Sequence, residues 1–305
     1  MAEDDQAEPR RHGRFWRRVI IGLLILVGLL IIFHRPILLA IGRKIVLRYA
    51  AKENLKADFR VEGNPFGSVT IRNFHAFAVG PSEYESIDID YLYLDYSLLG
   101  YARHGLPRLF NNVEARSASI ILNPAKAPLR PRPPKPHLKL PRFFPERFRA
   151  KDTTVIVRNQ PYDFIAQRID LELDPRRPGE LRITLLQLPS GDTWSNVAGQ
   201  TSYANKNLIL RDFNLSDQEQ LHLLNIDASR IDSNALPVNL NCTVGGGQLS
   251  ASAALTEAET SLNAKVNLAV DKVAAESLNK FLVIPENYLS GEIERLVLDG
   301  SGAID

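Results

Sequence analysis

Val238 to Val270 reads VNLNCTVGGGQLSASAALTEAETSLNAKVNLAV, and its alternation decides the fold. Val238, Leu240, Cys242 and Val244 alternate with Asn239, Asn241 and Thr243. After the turn Gly245-Gly246-Gly247, Leu249, Ala251, Ala253 and Leu255 alternate mainly with serines, and Leu262, Ala264, Val266, Leu268 and Val270 alternate with Asn263, Lys265 and Asn267. Successive side chains of a strand point to opposite faces, so a period of two makes one face apolar and the other polar. Three such runs with short links and no helix between them predict an antiparallel meander, because parallel neighbours need a crossover of a dozen or more residues.

Outward from this stretch, noisier strands are readable at Ser68–Val79, Ser86–Tyr96, Val113–Leu122, Thr153–Arg158, Phe164–Leu173, Leu181–Leu188, Leu208–Leu215 and Gln220–Ala228, with one short helix over Val273–Leu282. So many strands and so little helix predict a mostly β body. A sheet with one greasy face must close on itself, pack against something, or leave that face as a groove. Alternation assigns Ile183, Leu240, Leu249, Leu255, Leu262, Val266 and Leu268 to the groove lining, with Asn239, Asn241, Asn263 and Lys265 facing water. The final stretch, Gly291 to Asp305, reads as the middle of a strand and turn, so the sequence is expected to continue beyond it.

Upstream, Val19 to Phe33 (VIIGLLILVGLLIIF) is an unbroken run of apolar or glycine residues. Alone it is slightly short of the hydrocarbon core, but Trp16, Arg17 and Arg18 can anchor one interface and the apolar pattern resumes at Ile37. His34-Arg35-Pro36 stands where a signal peptide would carry its small-residue cleavage site, so a retained transmembrane helix over 19–41 is expected, after a cytoplasmic tail at 1–18. Arginines and lysines balance across it, and the shortness of the tail decides for a body outside the cytoplasm. Ile37, Ile41, Ile45 and Tyr49 continue at helical period, with Arg43, Lys44 and Arg48 mainly off that stripe. Two compatible readings follow: a helix capping the core of the body, or an interfacial helix whose basic residues meet lipid headgroups.

Eight prolines fall between Pro124 and Pro145, and the surrounding stretch carries Lys126, Arg130, Arg132, Lys135, Lys139, Arg142, Arg147 and Arg149 against the single acid Glu146. Proline removes ladder donors, so 123–149 is expected to be a basic loop or linker between a first β portion (42–122) and a second (150–305). It reads as a solvated spacer, with contact to anionic headgroups or a partner protein as the alternative.

The 305 residues, 45% of them hydrophobic, suffice for a core, and a formal charge of +2 gives no global field for nucleic acid. Cys242 alone rules out an intrachain disulfide. No phosphate-binding glycine loop, nucleophile elbow or HExxH is present, and no two histidines stand at metal-ligand spacing. Cys242 falls on the apolar parity of its strand, and Asp88 and Asp90 fill polar positions opposite Ile87, Ile89, Tyr91 and Tyr93. No enzymatic activity and no cofactor are expected.

An Arg-flanked anchor, a short helix at Arg43–Lys52 (RKIVLRYAAK) and the strand pair Val61–Phe77 (VEGNPFGSVTIRNFHAF) resemble the opening of the AsmA-like family, which includes TamB and YdbH. Ile87–Leu99, Val113–Leu122 and Val273–Ile304 are similar in order and texture to later units of that family, while the proline-rich stretch departs from it. The resemblance implies an N-terminal transmembrane helix followed by a long, antiparallel, open groove-like β-sheet with one or two short helices. It implies a bacterial inner-membrane protein, single-pass, with its body in the periplasm, passing phospholipid acyl chains between inner and outer membranes. Membrane lipids are then the expected partners. A scaffold in outer-membrane biogenesis, binding an envelope-assembly protein through its sheet, is the alternative.

Overall fold

The computed structural model describes residues 35–104, 109–127, 145–257, 262–281 and 290–304. Helix α1 (35–52) leads into β1 (Leu55–Asn64), β2 (Ser68–Ala78) and β3 (Tyr84–Tyr96). Helix α2 (Leu98–His104) precedes β4 (Phe110–Leu122), and the proline-rich stretch separates β4 from β5 (Arg147–Val157). Next come β6 (Phe164–Leu173), β7 (Gly179–Gln187), β8 (Thr193–Ala204), β9 (Asn207–Asn214) and β10 (Gln220–Asp227). A 3-10 turn at Ala228–Ser233 leads to β11 (Ala235–Val244), β12 (Gly247–Glu257) and β13 (Leu262–Ala274), and the one-turn helix α3 (Ala275–Leu278) precedes β14 (Glu292–Ile304).

All fourteen strands lie in one sheet, in chain order from β1 to β14. The meander expected from Val238–Val270 is β11, β12 and β13, paired antiparallel with Cys242 opposite Leu249 and Leu249 opposite Val270. Only β4 and β5 run parallel. The loop expected at 123–149 falls at this junction in the sequence, with 128–144 outside the described residues and its last three residues already in β5; a parallel pair needs a connection long enough to return the chain to the starting end of the sheet. The two β portions on either side of it therefore share one sheet. Among the described residues β1 and β14 each pair on one side only, so the sheet is open, and no second sheet covers it.

The apolar run at Val19–Phe33 lies outside the described residues. Among the described residues no helix is long and apolar enough to cross a membrane.

Sequence reading missed β8, α2 and the turn at Ala228–Ser233, and it made the helix after β13 too long. The noise in the first half has one physical origin. Asn73, Ser117, Asp152, Arg168, Asn196 and Asp212 have φ near +50°, in the left-handed region. Register puts five of them at two shared levels: Asn73 lies level with Asp90 and Ser117, and Ser117 with Asp152, while Arg168, about two residues along the strands, lies level with Thr184 and Asn196. A bulge adds a residue and turns the following side chains to the other face. The apolar parity accordingly steps by three rather than two, from Ile89 to Leu92 on β3, Ala115 to Ala118 on β4, and Trp194 to Val197 on β8. This corrects the sequence reading of β3: Leu92 and Leu94 share the apolar face with Ile89, whereas Tyr91 lies on the polar face between the guanidinium groups of Arg72 and Arg116, at 5.5 and 5.0 Å from its ring centre.

Candidate functional site

One apolar row crosses the whole sheet. It starts at Val61 and passes through Ile71, Leu92, Ala115 and Ala150 to Leu171 and Leu181, each opposite the next. Leu181 faces Gly199, over which the ring of Phe213 lies, and the row continues through Leu221, Cys242, Leu249 and Val270 to Leu296. At roughly 4.8 Å per strand step the row extends about 60 Å across the strands. Parallel rows flank it in the second half, for example Leu210, Leu224, Leu240, Ala251, Leu268 and Leu298. Most of these side chains are half-buried rather than buried, because strand curvature and a few short segments are all that shelter them.

The lining residues assigned by alternation all fall on this face. Ile183 packs against Trp194, Val197 and Phe213. Leu249 and Leu268 pack around Val244, Val270 and Val273, and Leu255 and Leu262 around Ala228, Ile231 and Leu236. Leu240 is half-buried in its row. Val266 is 41% exposed, at a place no short segment covers. Asn239, Asn241, Asn263 and Lys265 are exposed, as the opposite parity requires.

At the β1 edge, α1 lies against the same face. Its half-buried residues are Leu39, Val46, Leu47 and Ala50, while Ile37, Ile41, Ile45 and Tyr49 are about half exposed or more. The helix thus lies along the sheet, and of the predicted apolar stripe Ile41 and Ile45 line the space between them while about half exposed. Between α1 and the sheet runs a trough of about 490 Å³, walled by Leu39, Val46, Phe59, Ile71, Leu94 and Phe110 among others. Of the three residues expected to meet headgroups, Arg43 turns back to the body. Its Nη2 pairs with Asp58 Oδ1 at 2.9 Å, its Nε donates to the Phe59 carbonyl at 3.2 Å, and its guanidinium lies over the Phe59 ring. Lys44 and Arg48 are exposed.

The other face is polar and laced with ion pairs. Arg149 reaches Glu172 at 2.5 Å, Arg177 joins the same carboxylate, and Arg182 pairs with Glu180. The hydrogen bond from Arg149, aided by Arg177, holds the Glu172 carboxyl below its ordinary range. Such exposed pairs contribute little stability each, but they keep this side wet. Asp88 pairs with His75 there. Burial pushes the Cys242 thiol up, away from a reactive thiolate. Among the described residues no group of three His, Cys, Asp or Glu side chains could hold a metal ion.

One charged side chain stands beside the apolar face, at the edge away from α1. Glu219 has a side chain 1% exposed, paired with Lys280 Nζ at 2.7 Å and accepting from the Ser216 hydroxyl. Burial pushes its carboxyl up, and the Lys280 and Ser216 hydrogen bonds outweigh burial to hold it below the ordinary range. Sequence reading had no signal for this pair, because its partners are far apart in the chain and the helix was drawn through Lys280.

The chain matches no protein-family model, no curated protein and no solved structure.

Proposed function

We propose that this protein is a membrane-anchored groove protein that binds phospholipid acyl chains and conducts them along the apolar face of its sheet. The observation that carries the reading is the apolar row from Val61 to Leu296, over which no second sheet lies among the described residues and which only α1 and short segments shelter. Exposure of such a face to water is unfavourable, and an acyl chain relieves it with apolar walls alone, at roughly 0.8 kcal/mol per buried methylene. The α1 trough supplies the membrane end: it adjoins the chain leading from Val19–Phe33, and Lys44 and Arg48 stand by for phosphate. The resemblance to the AsmA-like family supports the same placement, in a bacterial inner membrane with the body in the periplasm, serving outer-membrane biogenesis.

A photoreactive residue at Leu92 or Val266, positions on the apolar face at opposite halves of the sheet, is expected to give lipid adducts in cells. The same probe at Asn263, on the polar face, is the control. Equal lipid labelling from Asn263, or none from either apolar position, overturns the reading. A second reading is favoured by β14, which among the described residues pairs with β13 alone and carries Leu296, Val297 and Leu298 at 36%, 55% and 50% exposure. An envelope-assembly protein could add a strand there, and protein adducts without lipid adducts would decide for that scaffold.

A further inference from the structure

Among the described residues two short segments cover the apolar face away from α1: the turn at Ala228–Ser233, over Leu236, Leu255 and Leu262, and residues 275–281. Phe281 stacks on Trp194 with ring centres 5.8 Å apart and planes 16° from parallel. The same ring packs against two clusters at once, Trp194–Val197–Phe213 and Val244–Val270–Val273, and Leu278 joins the second. Cys242 and Leu249, both members of the long apolar row, lie in that second cluster. The segment therefore lays a phenyl ring and an isobutyl group over a patch whose chemistry is otherwise that of the open trough.

Its fastenings are polar and specific. Lys280 Nζ meets the buried Glu219 carboxylate at 2.7 Å, and the Lys280 carbonyl accepts from Ser190 Oγ at 2.6 Å. On the opposite flank Ser277 rests on Gly245, where a Cβ would stand 2.3 Å from Ser277 Oγ. These contacts tie the segment to the β7–β8, β9–β10 and β11–β12 connections, three separate points at the same edge of the sheet. An ion pair with one buried member is a poor source of net stability, because desolvating the charge offsets the attraction. It is, however, a catch on the segment: lifting it takes Lys280 away from the Glu219 carboxylate, which of these two partners keeps only the Ser216 hydroxyl.

We propose that residues 275–281 are a self-supplied plug, held by the Glu219–Lys280 catch, that occupies an acyl-chain site at the end of the trough away from α1. The identity of the competing ligand rests on the lipid reading above; the catch does not. When the plug is seated, Phe281 and Leu278 fill the place of an acyl chain over Cys242 and Leu249. When it is released, that patch joins the open face.

Cys242, the only cysteine, reports the state directly. In the full chain in detergent micelles, maleimide labelling of Cys242 is expected to be several-fold faster in Glu219→Gln and in Lys280→Met than in the unaltered protein. The exchanged pair, Glu219→Lys with Lys280→Glu, should restore the slow rate. General loosening is read from a second reporter, Leu92→Cys in a Cys242→Ala background, whose labelling should be indifferent to the catch substitutions. Unchanged Cys242 labelling in both variants, or a parallel rise at Leu92→Cys, overturns the plug. Phosphatidylglycerol vesicles should then slow Cys242 labelling in the released variants. If they do not while the rate difference persists, the catch stands and the acyl-chain occupant is overturned.

Discussion

Gly199 sits where the apolar row crosses β8, and its lack of a side chain is what the crossing needs. A Cβ there would lie 2.1 Å from Phe213 Cδ2 and 2.7 Å from the Arg211 carbonyl oxygen, so Phe213 can lie flat only over glycine. Gly199→Ala is expected to lower unfolding stability by about 1–3 kcal/mol in urea titrations, the usual cost of overpacking. Adding Phe213→Leu should recover part of the loss; strict additivity would show that the ring is not the obstacle. Tyr203, 8% exposed, donates its hydroxyl to the Pro145 carbonyl at 2.8 Å, and burial, helped by the charge of Glu146, pushes its phenol up to about 12. The unfolded chain ionises near pH 10. The folded state holds the proton more tightly, so the contribution is complete below pH ~10 and is lost as pH rises through about 12. Stability measured across that window should fall less steeply in Tyr203→Phe; an identical slope would place the phenol in water.

Six strands between β2 and β9 share one device, a left-handed residue within the strand. Asn, Asp and Ser supply most of these, the short polar side chains that tolerate positive φ best after glycine. Where they fall level on neighbouring strands, as Ser117 does with Asp152, bulges add local twist and let a wide sheet curl instead of lying flat. Asn196, with φ +56°, is the clearest test because it separates Trp194 from Val197 on the apolar face. Asn196→Gly should be tolerated within a few tenths of a kcal/mol, whereas Asn196→Val should cost about 1–3 kcal/mol, since a β-branched residue is strained at positive φ. Chemical denaturation of the two variants side by side is the measurement, and equal stability would mean that the bulge can iron out.

Continuity is a property of the whole sheet, and it predicts an effect at a distance. Ile183 lies on β7, midway across the fourteen strands, between Ile169 and Val197. A carboxylate there asks a passing acyl chain to desolvate a charge. Ile183→Asp should reduce lipid adducts from a probe at Val266 several-fold while leaving those from Leu92 intact, with Ile183→Leu as the neutral control. Equal loss at both positions would indicate unfolding, and no loss at Val266 would mean that lipids do not travel along the row.

The amino-acid sequence alone determined the class of the body, the face each residue of β11 to β13 turns to, and the apolar side on which Ile183, Leu240 and Leu268 lie. Alternation is enforced locally by the pleat, so it can be read without knowing any neighbour. It also marked the proline-rich stretch as a connection, since proline cannot serve a ladder. Only the tertiary structure decided that one row is continuous, because register between strands depends on pairings that bulges shift by one residue at a time. Residues with positive φ carry no unique sequence mark: Arg168 bends its strand as Asn196 does. β8 was hidden for the same reason, its apolar face being built from Gly199 and Thr201, which are buried by what lies over and beside them. The turn of Arg43 toward Asp58 and the meeting of Glu219 with Lys280 likewise belong to the folded chain, since neither pair is near in sequence and each forms only once the sheet has brought its partners together.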